Sequence, residues 1–100
     1  MNTRSVLNEV DEERRKQDKK WGEQNHSPAD WLMILGEEFG EAAKAALEAK
    51  FGQGSLRQYR NELIQVAAVA VAMIECFDRH DINKPIDNSQ EQRDYLEGIY

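Results

Sequence analysis

Apolar and polar positions alternate with a helical period along almost the whole chain. From Thr3 or Ser5 to about Lys20, a short apolar face of Val6, Leu7 and Val10 continues at the same spacing through Arg14, Gln17 and Trp21. Residues 11–20 are polar without a break. Most of that run reads as a solvated face, but Arg14, Gln17 and Trp21 line up with the side that packs. Residues 21–26, WGEQNH, predict a loop punctuated by Gly22 and Asn25. Ser27, Pro28 and Asp30 then mark a helix start, with serine as N-cap, proline at the first helical position and aspartate closing a box-like pair. That helix extends to about Lys50. Its stripe of Leu32, Leu35, Gly36, Phe39, Ala43, Ala46 and Leu47 is expected to face the core.

Gly52-Gln53-Gly54 breaks the second helix, and Ser55 with Gln58 offers a capping box for a third that runs to about Arg79. Residues 63–74 contain eleven apolar side chains out of twelve, Gln65 being the exception. A helix apolar on all sides must be buried on all sides, which three other short helices cannot do in a monomer. Self-association is therefore expected, and Ala67, Ala68, Ala70 and Ala72 would let helices approach closely. After a loop at 81–87, Ser89 and Gln92 predict a short last helix at 90–98. Its Tyr95 and Leu96, with Ile99 and Tyr100 beyond, would pack on the bundle or on a neighbouring subunit. No strand, repeat or linker is visible. The fold class is all-α, a short four-helix bundle forming one domain over residues 1–100.

The second helix carries Glu37, Glu38 and Glu41 in the pattern E-E-x-x-E, within an arc of about 100°. Ile34, Ala45, Trp31 and Ala42 border that arc, so the carboxylates are not cleanly in solvent. Such groups repel one another and lose hydration. A divalent cation offsets both, and oxygen-only ligands suit magnesium or manganese. Glu62 heads an inward stripe of Val66, Val69, Met73 and Cys76 on the third helix. Antiparallel packing across the glycine turn would carry it to the same place.

Charge and cysteine usage narrow the function further. The net charge of −6 argues against a broad nucleic-acid footprint or an anionic membrane as partner. It would also repel a nucleotide unless a bound cation inverted the local field. The lone Cys76 excludes an internal disulfide and points to a reducing compartment. No apolar run reaches membrane-spanning length, and the start turns polar before a signal-peptide core can form, so a cytoplasmic protein is expected. There is no phosphate-binding glycine loop, no cysteine–histidine metal spacing and no Ser-His-Asp arrangement. Hard cations held by carboxylates most often serve phosphate substrates.

With E-E-x-x-E at Glu37, Glu38 and Glu41, a spacer, and then Glu62, the chain resembles the MazG-like all-α nucleoside triphosphate pyrophosphohydrolases, whose second motif is E-x-x-D. The stretch QDKKWGEQNH followed by WLMILGEE is similar to small bacterial and phage members, and the likeness spans roughly Gln17 to Glu75. Where the family's second motif ends in aspartate, this chain has Gln65, whose amide oxygen is an uncharged and weaker ligand. The resemblance implies hydrolysis of a (deoxy)nucleoside triphosphate to a monophosphate and pyrophosphate, in nucleotide-pool house-cleaning. It also implies a magnesium requirement, with manganese as a substitute, and homodimers or homotetramers.

On that basis Glu37, Glu38, Glu41 and Glu62 would hold the metal, and Glu38 or Glu41 would orient the attacking water. Arg14, Lys19 or Lys20 would neutralise phosphates. Trp21, Gln24 and Asn25 would contact base or sugar, with Gln17 and Gln65 completing the substrate-binding set. Two alternatives stand beside this. One is a non-catalytic helical oligomer serving as a nucleotide-binding or assembly module. The other is a phosphoribosyl-ATP pyrophosphohydrolase, the same chemistry on a biosynthetic substrate.

Overall fold

A computed structural model describes residues 2–83, which form three helices and no strand: α1 (Thr3–Trp21), α2 (Pro28–Lys50) and α3 (Leu56–Asn83). The class is all-α. The fourth helix expected at 90–98, and with it the four-helix bundle, lies outside the described residues. Residues 81–83, expected in a loop, continue α3. Among the described residues no helix is long and apolar enough to cross a membrane.

Local chemistry accounts for each helix end. Asn2 caps α1 by accepting from the Ser5 amide at 2.9 Å, and Lys19 and Lys20 in the last turn suit the negative end of the helix dipole. Trp21 is still helical. The chain then reverses at Gly22, whose φ of 73° favours a residue without a Cβ. Ser27 accepts from the Asp30 amide at 3.2 Å with Pro28 in the first turn of α2, as the sequence signal predicts. Ser55 likewise accepts from the Gln58 amide at 3.1 Å. The reciprocal half of that box does not form, because the Gln58 side chain donates forward to Glu62 at 2.8 Å.

α2 and α3 make an antiparallel pair around a cluster of Trp31, Val69, Ala72 and Cys76, flanked by Ile34, Leu35 and Met73. Burying such side chains contributes roughly 1.5–3 kcal/mol each for the larger ones. Ala42 and Ala45 on α2 and Ala68 on α3 are buried too, and their small size lets the helix axes approach. α1 lies on α3 and runs in the same direction. Glu9 accepts from Arg60 at 2.9 and 2.6 Å near one end, and Arg14 donates to Glu75 at 2.8 Å further along. Val10 is the buried residue of α1.

The core side of α2 differs from the sequence expectation. Of the stripe expected to face inward, Leu35 and Ala46 are partly buried, while Leu32, Phe39 and Leu47 are 46%, 67% and 57% exposed. The face that packs is that of Trp31, Ile34, Glu38, Ala42 and Ala45. α2 is apolar on two sides, and α3 takes the side with one large aromatic and two alanines, where close approach costs no clash. α3, by contrast, is left incompletely buried within one chain, as its all-round apolar sequence leads one to expect, with Leu63 and Ile74 42% and 60% exposed.

Candidate functional site

The packing of α2 on α3 turns Glu38 inward. Glu38 is half-buried, whereas Glu37 and Glu41 on either side of it are exposed. Burial raises its proton affinity above the usual carboxylate range, and the negative charges of Glu62, Glu41, Glu37 and Glu13 raise it further. Glu38 and Glu62 therefore share one electrostatic environment across the α2–α3 seam, together with the other two carboxylates of E-E-x-x-E. Glu13, on α1, belongs to the same environment. Sequence reasoning passed over it as part of a solvated charge run. Among the described residues no three carboxylate, histidine or cysteine side chains stand close enough to hold one ion as they are placed.

Glu38 opens into a cavity of about 190 Å³ at the meeting of all three helices. α1 contributes Gln17 and Trp21, the following loop contributes Gln24, and α3 contributes Gln65, Val69 and Ala72. Trp31 and Ile34 form the α2 wall beside Glu38. The cavity is thus apolar on its floor, with three carboxamides and one carboxylate around it. Trp21 is 56% exposed, and the Lys20 ammonium lies over its ring, 4.5 Å from the centroid. Gln65 stands between this cavity and a groove of about 350 Å³ lined by Glu9, Glu12, Glu13 and Lys16 of α1 and Asn61 and Ile64 of α3.

A neighbouring cavity of about 180 Å³ shares Gln17, Gln24, Trp31 and Ala72 with the first. It adds two guanidinium groups, Arg14 and Arg79, and the carboxylates of Asp18, Glu23 and Glu75. Arg14 is committed to its neighbours: it donates to Glu75 at 2.8 Å, to Gln17 at 3.0 Å and to Asp18 at 2.9 Å, with its side chain only 13% exposed. That network fixes the Gln17 amide at the border of the two cavities. Behind the shared wall, His26 and Trp31 meet edge to face at 4.8 Å. Nε2 of His26 and Nε1 of Trp31 are buried without a hydrogen-bond partner.

Of the residues singled out from the sequence, Gln17, Trp21, Gln24, Glu38 and Gln65 come together around one cavity. Glu37, Glu41 and Glu62 act on Glu38 from outside its lining. Arg14 lies in the adjoining cavity, held by acidic partners. Lys19 is exposed and lines neither, and Lys20 reaches the site only through the Trp21 ring. Asn25 lines neither cavity; its amide donates to Glu23 and accepts from Arg79. Arg79 and Glu75 carried no motif signal, because each acts on segments more than fifty positions away. Comparison of the chain with protein-family models, with curated proteins and with solved structures finds no match.

Proposed function

We propose that the cleft binds a nucleoside triphosphate and hydrolyses it to a monophosphate and pyrophosphate, as the likeness of E-E-x-x-E and Glu62 to the MazG-like pyrophosphohydrolases implies. The observation that carries this reading is the inward Glu38, set among carboxylates from all three helices and opening into a cavity bordered by two indoles and three carboxamides. One end suits a cation-bound phosphate chain, and the other suits a flat, hydrogen-bonding base. The donor chemistry fits a hard divalent ion: Glu37, Glu38, Glu41 and Glu62 offer oxygen ligands only, and no hydrogen bond or ion pair to a described cation neutralises Glu37, Glu38 or Glu41. Magnesium or manganese, when bound there, supplies charge neutralisation of the phosphates and activation of water.

The chain's own groups do the rest. Glu38 or Glu41 orients the water and accepts its proton as the water oxygen bonds to the α-phosphorus. The bond from that phosphorus to the α–β bridging oxygen breaks, and pyrophosphate leaves. Trp21 stacks on the base, while Gln17, Gln24 and Gln65 offer it donors and acceptors that carry no charge. The exposed apolar residues of α2 and α3 are covered by a second copy of the chain. The physiological role is removal of unwanted nucleotides.

The test is incubation with ribo- and deoxyribonucleoside triphosphates plus magnesium, scoring pyrophosphate against orthophosphate. Orthophosphate with a diphosphate as products rejects attack at the α-phosphorus. A second reading, a nucleotide-binding module without turnover, is favoured by one observation: Gln65 lines the cavity beside Glu38 without a charge. Binding of nucleotide without release of either phosphate product would select it.

A further inference from the structure

The segment between α1 and α2, residues 22–27, closes one end of the cleft, and α3 holds its shape from a distance in sequence. Arg79 donates from Nη2 to the main-chain oxygen of Gln24 at 2.9 Å and to Oδ1 of Asn25 at 2.9 Å. Its Nε donates to the same Asn25 oxygen at 3.2 Å and lies 3.5 Å from the Glu23 carboxylate. Asn25 in turn donates from Nδ2 to Glu23 at 3.0 Å, so its amide is engaged at both ends. One turn before Arg79, the fully buried Cys76 sets its Sγ 3.7 Å from that Asn25 oxygen and 3.8 Å from the His26 carbonyl. Three successive loop residues are therefore gripped from α3. A planar guanidinium fork can serve Gln24 and Asn25 together, which an ammonium cannot do in the same geometry.

Gln24 is the loop residue that lines both cavities. Its side chain can stand over the cleft only while its own backbone is fixed, and the Arg79 bond to its carbonyl is what fixes it. Asn25, by contrast, lines neither cavity, and its amide donates to Glu23 and accepts from Arg79. We propose that Arg79 is a positioning residue for base recognition: it anchors the 22–27 loop so that Gln24 faces the base, with Asn25 as the strut between them. This rests on the nucleotide reading above.

The experiment compares the native chain with Arg79→Lys and Arg79→Met. Three readouts are taken: amide hydrogen exchange at 22–27, steady-state kinetics with a nucleoside triphosphate, and the melting shift caused by magnesium alone. Both single variants should exchange the loop amides about tenfold faster or more. They should raise KM about tenfold while kcat stays within about threefold. The magnesium shift should be native, because Arg79 does not line the cavity into which Glu38 opens and lies about 26 Å along α3 from Glu62. Native exchange at 22–27 in Arg79→Met overturns the anchoring. Faster exchange with an unchanged KM overturns its link to the base. Absence of nucleotide turnover and binding by the native chain sinks the nucleotide reading and this role together, whereas native exchange sinks the role alone.

Discussion

Replacing Glu38 by glutamine keeps the shape of the side chain and removes one charge from the centre of the carboxylate set. Glu38 holds its proton more tightly than usual through its partial burial and through Glu62, Glu41, Glu37 and Glu13. Glu37 and Glu41 are exposed and the other two half-buried, so each repulsion is screened to about 0.2–0.5 kcal/mol, far below that of a dry site. Four such terms come to about 1 kcal/mol, to which desolvation of Glu38 adds. The metal-free variant should therefore melt about 4–8 °C higher than the native chain at neutral pH. The sign with pH follows from the raised affinity. Above the ordinary value of 4.5 and below its raised value, Glu38 binds more proton folded than unfolded, so the native chain gains stability as pH falls into that window. The variant lacks this gain. Glu9 acts oppositely: its hydrogen bond from Arg60 lowers its proton affinity, so the stability it contributes is present above 4.5 and is lost as pH falls through its lowered value. Magnesium should raise the melting temperature of the native chain and do so far less in the variant. Thermal melts with and without magnesium decide the matter. A variant that melts at or below the native temperature, or keeps the native magnesium shift, refutes the site as drawn.

Gln65→Asp places a further charge beside Glu38, so the metal-free protein should melt a few degrees lower, by about 1 kcal/mol or less, while magnesium titrations give a lower Kd; unchanged magnesium affinity would separate residue 65 from the metal site. Trp21→Ala removes an indole that is 56% exposed. It should cost little stability but weaken nucleotide binding by roughly 1–3 kcal/mol, about five- to 150-fold in Kd by calorimetry, and native affinity in the variant would remove Trp21 from the base site. Light scattering of the native chain should give at least twice the monomer mass of 11.6 kDa. Phe39→Glu, on the exposed α2 stripe, should return a folded monomer. A native monomer at micromolar concentration would exclude the covering copy, and Val69→Glu is no substitute because Val69 is buried within the single chain.

Helix positions were legible because their ends are written locally. Ser27-Pro28 and Ser55 carry their capping partners within three residues, and no tertiary contact is needed to read them. The cleft was partly legible for a similar reason. The spacing of Gln17 and Trp21 placed them on the packed side of α1, and Gln65 stood out as the one polar residue of an apolar run. The face of α2 was not legible. Leu32, Phe39 and Leu47 on one side and Trp31, Ile34, Ala42 and Ala45 on the other both make apolar stripes, and only the partner helix decides between them. Arg79 and Glu13 were hidden for another reason. A charged residue on a polar helix face looks the same whether it meets water or a loop fifty positions away.

α1 packs on α3 and hardly at all on α2, whereas α2 and α3 form a hairpin joined by a short turn. The hairpin's contacts are close in sequence and bury most of the core, so it can form early and persist alone for short times. α1 is attached through Val10 and partly exposed, solvent-screened ion pairs, so it is the first element to detach in native-state fluctuations. Such an opening carries Gln17 and Trp21 away and leaves Glu38 and Glu62 facing each other. The two walls of the cleft thus have separate lifetimes: Glu38, Glu62 and Gln65 stay together as long as the hairpin, and Gln17 and Trp21 join them only as long as α1 stays down. Any ligand reaching from one to the other acts as a bolt across that seam, and its arrival should be felt as slowed amide exchange along α1.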